Sequence, residues 1–231
     1  MNKYILLALC IIAGYFIGSI LFAYIITKIV TGKDIREIGN KNPGASNTMR
    51  NVGPVAGVLV TVLDMLKAFV PLTIARLLFF TGGSVFDWIA LFLIGMAAVL
   101  GHCRPFWMGF KKGGGGMATT IGVWAFFVPV EFAMSLVLGT IIAFTLMRNA
   151  EFKFGRWAQM FGIILTPIVI IIVNQIADIP LFWHISIGGH SSGIVIGAFL
   201  LLIEMFALNS YELFHWLKDP RDKVNPDRPN K

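Results

Sequence analysis

Two cationic, polar stretches of the chain have the residue types needed to bind phosphate groups. The first is a glycine run that follows two lysines and lies between long apolar segments. Glycines let successive backbone N–H groups converge on an anion, and the apolar run from Met117 can supply a helix N-terminus. A glycine run without a fixed pattern is also typical of a flexible turn, so the loop alone leaves both interpretations open. The stretch consists of Lys111 and Lys112, followed by the glycine run Gly113, Gly114, Gly115 and Gly116.

The second stretch, from Gly18 to Arg50, carries more polar chemistry than a connecting loop requires. Its cations can bind a dianionic head group, arginine through a planar fork and lysine as a compact charge. Its amides and hydroxyl can hydrogen-bond the hydroxyl groups of a ligand. For any one of these cations, membrane orientation is an equally good explanation. The residues are Lys33, Arg36, Lys41 and Arg50, together with Asn40, Asn42, Ser46 and Asn47.

Three further polar residues interrupt apolar runs. Asp64 and Lys67 are three positions apart, on one face of a helix, where mutual pairing lowers the cost of charge in a membrane. The pair can be structural, or it can direct the lysine toward a phosphate. Ser19 follows Gly18, and a Gly-Ser pair within a span is also typical of close helix packing or of a hydroxyl bonded to the preceding turn.

The composition places the chain in a membrane. Of its 231 residues, 57% are hydrophobic and 13% are charged, whereas a soluble domain is normally about 45–50% apolar. The mean hydropathy is +0.78. The formal net charge is +7, but the cations lie in short loops between apolar runs, which favours membrane orientation over nucleic-acid binding. The sequence contains no CxxC or HExxH pattern, so neither a structural zinc site nor a metalloprotease site is expected.

The apolar segments predict an all-α, polytopic membrane helix bundle of about seven transmembrane helices or half-helices. As one helix, the run 117–147 would be about 45 Å long against a hydrocarbon core of about 30 Å, so we predict that Pro129 and Glu131 divide it. The basic segments then share one side, which the positive-inside rule makes cytoplasmic, with the N-terminus outside and the C-terminus in the cytoplasm. The predicted segments are 4–30, 54–80, 87–102, 117–129, 131–147, 160–178 and 187–208.

Two regions are expected along the chain. Residues 1–217 should form a single integral membrane domain. Residues 218–231 are proline-rich, mixed in charge and without hydrophobic period, so we predict a disordered cytoplasmic tail.

The order of these motifs resembles that of the bacterial acyl-phosphate:glycerol-3-phosphate acyltransferases, small integral membrane enzymes of phospholipid synthesis. The resemblance extends over most of the chain. Its second signature is similar to Gly101-His102, Pro105 and the glycine run. Its first signature is similar to Gly18-Ser19-Ile20, Asp34-Ile35-Arg36, Asn42-Pro43-Gly44-Ala45-Ser46-Asn47 and Arg50, with Asp64 and Lys67 downstream.

Several positions depart from the family pattern. The family loop usually reads Gly-Gly-Lys-Gly, and Gly115 stands where its lysine would be; the sequence leaves open whether Lys112 substitutes. The family usually has proline at Leu21, and Ser-Gly where this chain has Asn40 and Lys41.

The C-terminal signature of the family is also altered. It normally pairs a His and an Asn, and here Asn209 is in register whereas Phe206 stands where the His would be. Glu212 occupies a position where arginine is common. A non-catalytic or altered-acceptor paralogue that binds phosphorylated ligands at the membrane therefore stays open beside the active enzyme. A transporter is disfavoured, since the chain has no internal repeat and its charge is concentrated at one face.

The resemblance implies that a fatty acyl group is transferred from acyl phosphate to the 1-hydroxyl of glycerol 3-phosphate, giving lysophosphatidic acid and inorganic phosphate. It implies a multi-pass protein of the bacterial inner membrane whose acyltransferase-like domain has its active site on the cytoplasmic face. Neither a metal nor an organic cofactor is implied. The expected partners are the two substrates and membrane lipid, without nucleic acid.

The resemblance and the chemistry of the side chains together select the candidate site residues. Arg36, Arg50, Asn42 and Asn47 are assigned to glycerol phosphate, and the glycine run with Lys112 to the acyl phosphate or to both phosphates. The candidate catalytic residues are Ser19, Arg36, His102 and Asn209, and the candidate substrate-binding residues are Asn42, Asn47, Arg50, Lys67, Lys112, Gly113, Gly114, Gly115 and Gly116.

Overall fold

The computed structural model describes residues 2–147, 154–176, 179–180, 186–187 and 192–218. Within these ranges the fold is a helix bundle, which confirms the predicted fold class. Two short strands, β1 (Ile179–Pro180) and β2 (Ser186–Ile187), pair antiparallel. The α-helices are α1 (Lys3–Gly18), α2 (Phe22–Thr31), α3 (Ala45–Asn51), α4 (Pro54–Leu78), α5 (Val85–Cys103), α6 (Met117–Phe127), α7 (Pro129–Met147), α8 (Phe154–Ile176) and α9 (Ser192–Lys218).

The long helices have the length and apolarity needed to cross a membrane. Four segments of the described chain meet this condition: Lys3–Thr31, Pro54–Leu78, Val85–Met108 and Ser192–Asn209. Shorter apolar helices cover 117–127, 129–145 and 160–175. Together they account for the seven predicted apolar segments. Large apolar side chains on their outer faces are exposed, as expected for contact with lipid.

The first apolar segment differs from the prediction of one uninterrupted span over 4–30. It is divided into α1 and α2 by Ser19, Ile20 and Leu21. Gly18 lies so close to α5 that a Cβ there would overlap the backbone of Ala98. This close approach holds the interrupted helix against α5.

The run 117–147 is divided next to Pro129, as predicted, whereas Glu131 lies within the first turn of α7 and does not break a helix. The helix α6 ends at Phe127, and α7 begins at Pro129. Proline has no backbone N–H to continue a helix and crowds the preceding turn. Membrane orientation stays a prediction. Of the predicted tail, Lys218 is the last residue of α9, and residues 219–231 lie outside the described part of the chain.

The principal core lies where α4, α5, α6, α8 and α9 contribute buried side chains. Trp124 is fully buried, and the rings of Phe92 and Phe127 stack with their centroids 3.7 Å apart. The packed core fixes α5 and α6, whose ends carry His102 and the glycine run.

Candidate active site

The interruption between α1 and α2 is held by hydrogen bonds from distant side chains. Ser19 Oγ donates to the Tyr15 carbonyl at 2.9 Å. The Ser19 carbonyl accepts from Trp107 Nε1 at 2.7 Å, and the Ile20 carbonyl accepts from the Lys67 ammonium at 2.9 Å. Carbonyls at a helix end have no partner within the helix. These bonds therefore give the carbonyls of Ser19 and Ile20 hydrogen-bond partners and hold Ser19 in one position.

Behind the interruption lies a buried cluster of Lys67, Asp64 and His102. Lys67 Nζ is 3.0 Å from Asp64 Oδ1 and contacts His102 Nδ1, and all three side chains are at most 4% exposed. A ring nitrogen that faces an ammonium accepts a hydrogen bond, which assigns the proton of a neutral imidazole to Nε2. The ammonium also donates a hydrogen bond to the Ile20 carbonyl, so it is surrounded by three partners from the protein itself. The contacts therefore favour the structural interpretation of the pair.

The first half of the glycine run is bonded to the end of α5. Gly113 N donates to the Cys103 carbonyl at 2.8 Å, and Gly114 N donates to the His102 carbonyl at 3.1 Å. A Cβ at Gly114 would overlap the His102 imidazole, and one at Gly113 would overlap the His102 carbonyl. Glycine is therefore needed at both positions because the loop lies directly on His102.

The second half of the run faces two asparagines. A Cβ built at Gly115 would lie 3.9 Å from Asn42 Nδ2 and 3.9 Å from Asn209 Oδ1. Gly116 has φ +79° and precedes α6 without a side-chain cap. The first-turn N–H groups of a helix have no intrahelical acceptor and carry the positive end of its dipole. An anion beside Gly115 would therefore meet backbone donors of α6.

Arg36 is held by a fork of hydrogen bonds to Asp34. Its Nε lies 3.0 Å from each carboxylate oxygen, and its Nη2 lies 2.6 Å from Oδ2. The guanidinium also stacks over Tyr24, 4.9 Å from the ring centroid. Hydrogen bonding from Arg36 holds the pKa of Asp34 below its ordinary value, so the carboxylate stays ionised at neutral pH. The fork presents Arg36 in a defined orientation.

Asn47 binds the loop that carries Arg36. Its Nδ2 donates to the carbonyls of Ile35 at 3.3 Å and Ile38 at 2.9 Å, and its Oδ1 accepts from Asn51 at 2.8 Å. The residue is 1% exposed. These contacts indicate that Asn47 shapes the loop from inside it.

The structure brings several of the predicted site residues together and leaves others around them. Ser19, His102, the glycine run, Asn42 and Asn209 form one connected region, with Lys67 beneath it. Asn42 Oδ1 is buried and has no hydrogen-bond partner among the described residues. Arg36 lies on the preceding loop, Arg50 lies on α3 with its side chain exposed, and Lys112 lies exposed just before the glycine run.

The residues that attach the loop after α5 to α1 were not among the candidates predicted from the sequence. Trp107 holds the Ser19 carbonyl, and Tyr15 OH donates to the Arg104 carbonyl at 2.6 Å. Phe106 packs edge-on against Phe16, with ring centroids 4.9 Å apart. Tyrosine and tryptophan near a basic loop are typical of a membrane–water interface, which is the signal that could have identified them.

The backbone at Lys41 adopts a left-handed conformation with φ 58°. In the family that the chain resembles, glycine is the usual residue at this position. We expect Lys41→Gly to raise the free energy of unfolding by about 1 kcal/mol, because a side chain disfavours this conformation. Thermal unfolding of the detergent-solubilised protein would measure the change. Lys41→Ala removes the same charge but keeps the strain, so an equal gain in that control would contradict the explanation.

The apolar helices and the buried ionic cluster together indicate the class of this protein. A bundle of apolar helices with a buried ionic cluster, and with a glycine loop and cationic loops beside it, is typical of an integral membrane protein, in which buried charges usually mark a functional region. The chain belongs to the glycerol-3-phosphate acyltransferase family, whose model matches residues 8–213. It is therefore an integral membrane acyltransferase.

Similar proteins agree with this assignment. A glycerol-3-phosphate acyltransferase of Anaeromyxobacter dehalogenans is 40% identical over 148 residues, which cover 64% of this chain and 72% of the relative. One from Thermotoga petrophila is 46% identical over 112 residues, or 48% of this chain and 54% of the relative. The crystal structure of PlsY (YgiH), an integral membrane glycerol 3-phosphate acyltransferase, in its glycerol 3-phosphate form has a TM-score of 0.69 and 28% identity, with 92% of each chain covered.

Proposed function

We propose that this protein transfers a fatty acyl group from acyl phosphate to the 1-hydroxyl of glycerol 3-phosphate, giving lysophosphatidic acid and inorganic phosphate. One structural observation supports this reaction in addition to family membership. The glycine loop, Asn42 and Asn209 converge at the start of α6, beside the cluster of His102 and Lys67. Such a site offers backbone donors to phosphate and side-chain amides to a polyol.

The two substrates need separate phosphate contacts close together. Arg36 and Arg50 are assigned to glycerol 3-phosphate, since guanidinium groups bind phosphate through two parallel hydrogen bonds. The α6 N-terminus and Lys112 are assigned to the acyl phosphate. The Oδ1 of Asn42, which no hydrogen-bond donor of the described residues reaches, is assigned as an acceptor for a glycerol hydroxyl.

The remaining predicted residues act on this site by positioning or by contact. His102 is assigned to support Gly113 and Gly114, Ser19 to fix Trp107 of the preceding segment, and Asn209 to contact the ligand beside Gly115. Asn47 and Lys67 are assigned positioning roles because their polar atoms are bonded within the protein.

The proposed reaction requires no nucleophile from the protein. The glycerol hydroxyl oxygen forms a bond to the acyl carbon, and the bond from that carbon to the bridging phosphate oxygen breaks. The hydroxyl proton passes to a phosphate oxygen, so inorganic phosphate leaves with it. The backbone donors beside Gly115 stabilise the negative charge that develops, and the bound geometry keeps hydroxyl and acyl carbon in contact.

We propose that the site faces the cytoplasm from a bacterial inner membrane, as a single domain formed by residues 1–217. The basic loops that carry Arg36, Arg50 and Lys112 support this orientation. A cysteine introduced at Lys41 should react with an impermeant maleimide only in inverted vesicles. Reaction in right-side-out vesicles would contradict the orientation.

Arg50→Ala tests the assignment of the acceptor site. We expect the dissociation constant for glycerol 3-phosphate to rise roughly 10- to 100-fold, because a hydrogen bond to a charged group contributes about 1.5–3 kcal/mol. Titration calorimetry on the purified protein measures it. Arg76→Ala is a matched control, since Arg76 stacks on Trp88 near the far end of α4. Equal affinities in the two variants would show that Arg50 does not bind the acceptor.

A further inference from the structure

We propose that Tyr24 and Trp107 are positioning residues, which hold the Arg36 guanidinium in the orientation that binds glycerol 3-phosphate; this inference rests on the proposed function. Tyr24 is the third residue of α2, and Trp107 lies in the short helical turn Phe106–Met108 that follows α5. We call these two residues the aromatic bridge. The bridge lies between the Arg36 guanidinium and the carbonyl of Ser19.

The Arg36 guanidinium has one edge left for a ligand. Its fork to Asp34 uses the edge formed by Nε and Nη2. Among the residues that the structure describes, none accepts a hydrogen bond from Nη1. The side chain is 35% exposed, so a ligand can reach the edge formed by Nη1 and Nη2. A phosphate group binds such an edge through two parallel hydrogen bonds.

A planar guanidinium has a defined orientation only when both an edge and a face are held. Asp34 holds the edge of Arg36, but it lies two positions away and therefore moves with the same loop. The ring of Tyr24 holds the face, with its centroid 4.9 Å from Cζ, which is within the range of a cation–π contact. Because Tyr24 belongs to α2, its ring ties the guanidinium to the helix bundle.

Trp107 connects Tyr24 to the interruption between α1 and α2. The centroids of the two rings are 6.0 Å apart, and the ring planes are tilted by 48°. On its other side, the Nε1 of Trp107 donates to the Ser19 carbonyl at 2.7 Å. The aromatic bridge therefore supports Arg36 and Ser19 together, so that the acceptor contact keeps a fixed position relative to the interruption.

Three variants test the role of the Tyr24 ring. For Tyr24→Leu we expect the dissociation constant for glycerol 3-phosphate, measured by titration calorimetry, to rise about 3- to 30-fold, the range that a cation–π contact provides. The kcat at saturating acceptor should stay within about two-fold of the wild type, because the lost contact contributes to binding alone. Tyr24→Phe keeps the ring face and should restore the affinity. Tyr4→Leu is the matched control, since Tyr4 packs against Phe86 at the other end of α1 and should affect neither quantity.

The outcomes separate this inference from the proposed function. A wild type that neither transfers acyl groups nor binds glycerol 3-phosphate would overturn the proposed function itself. A wild type that binds glycerol 3-phosphate no better than Tyr24→Leu would overturn the aromatic bridge alone. Equal losses of affinity in Tyr24→Leu and Tyr24→Phe would also overturn the bridge, because the hydroxyl and not the ring face would then be the group that acts.

A double-mutant cycle tests the part of Trp107. Trp107→Leu should weaken the binding of glycerol 3-phosphate by itself. In the double variant with Tyr24→Leu, the dissociation constant should stay close to that of Tyr24→Leu, because Trp107 acts on Arg36 through the ring that is already lost. Multiplied effects, or no effect of Trp107→Leu alone, would remove Trp107 from the bridge.

A second measurement decides the case in which Tyr24→Leu does not fold. Phenylalanine analogues with one, two and three ring fluorines in place of Tyr24 keep the shape of the ring, but each fluorine weakens the negative potential of its face. The affinity for glycerol 3-phosphate should therefore fall stepwise along the series. Equal affinities across the series would overturn the cation–π contact as the source of the effect.

Discussion

Gly114→Ala is expected to lower kcat/KM by about 100-fold or more while the protein still inserts and purifies normally. The new Cβ would overlap the imidazole of His102, which is fixed from below by Lys67. The loop must therefore move away from α5, and a displacement of about 1 Å at a catalytic site costs about 100-fold in rate. Steady-state acyl transfer in lipid vesicles measures the effect.

A glycine at the opposite end of α5 provides the control. A Cβ at Gly83 would have no neighbour within 4 Å, and the backbone there is not in the left-handed region. Gly83→Ala should therefore retain activity within a few-fold of the wild type. Equal losses in the two variants would show that the effect is not specific to the glycine loop, and normal activity of Gly114→Ala would show that contact with His102 is unimportant.

Lys67→Met should destabilise the folded protein by about 3–5 kcal/mol. The substitution leaves the Asp64 carboxylate buried without its cation, and it removes the donor to the Ile20 carbonyl. Removing one partner of a buried ion pair has a cost of this size. Reversible unfolding in mixed detergent micelles, followed by circular dichroism, would measure the difference.

A double substitution distinguishes the lost pair from lost packing. Adding Asp64→Asn to Lys67→Met removes the uncompensated charge, so we expect more than half of the lost stability to return. If the double variant is no more stable than Lys67→Met, the ion pair is not the source of the effect. Kinetics of the double variant should still be impaired, because the bond to the Ile20 carbonyl is absent in both.

The apolar segments and the division at Pro129 could be predicted because hydropathy and proline chemistry are local properties. The interruption at Ser19 could not, because its partners are remote in sequence. Lys67 and Trp107 are 47 and 88 positions from the carbonyls that they bind. The Gly18-Ser19 pair marked a polar point within that apolar run, but helix packing or a hydroxyl bonded to the preceding turn explained the pair equally well.

The candidate site, like the fold, could be predicted from the sequence only in part. Residue types and spacing indicated which stretches carry polar chemistry, but they could not show which groups face a ligand. The amides of Gly113 and Gly114 are bonded to the end of α5, a relation that depends on how the loop folds back. The sequence left open whether Lys67 pairs with Asp64 or binds phosphate. The answer depends on contacts that the packing of three helices creates.

The most direct test of the proposed reaction is phosphate release from hexadecanoyl phosphate by the purified protein in lipid, with and without glycerol 3-phosphate. We expect phosphate release that depends on glycerol 3-phosphate and is matched one-to-one by lysophosphatidic acid, identified by mass. A folded preparation that releases no phosphate, beside a family member that is active in the same assay, would contradict it. Release that yields no lysophosphatidic acid would contradict it as well.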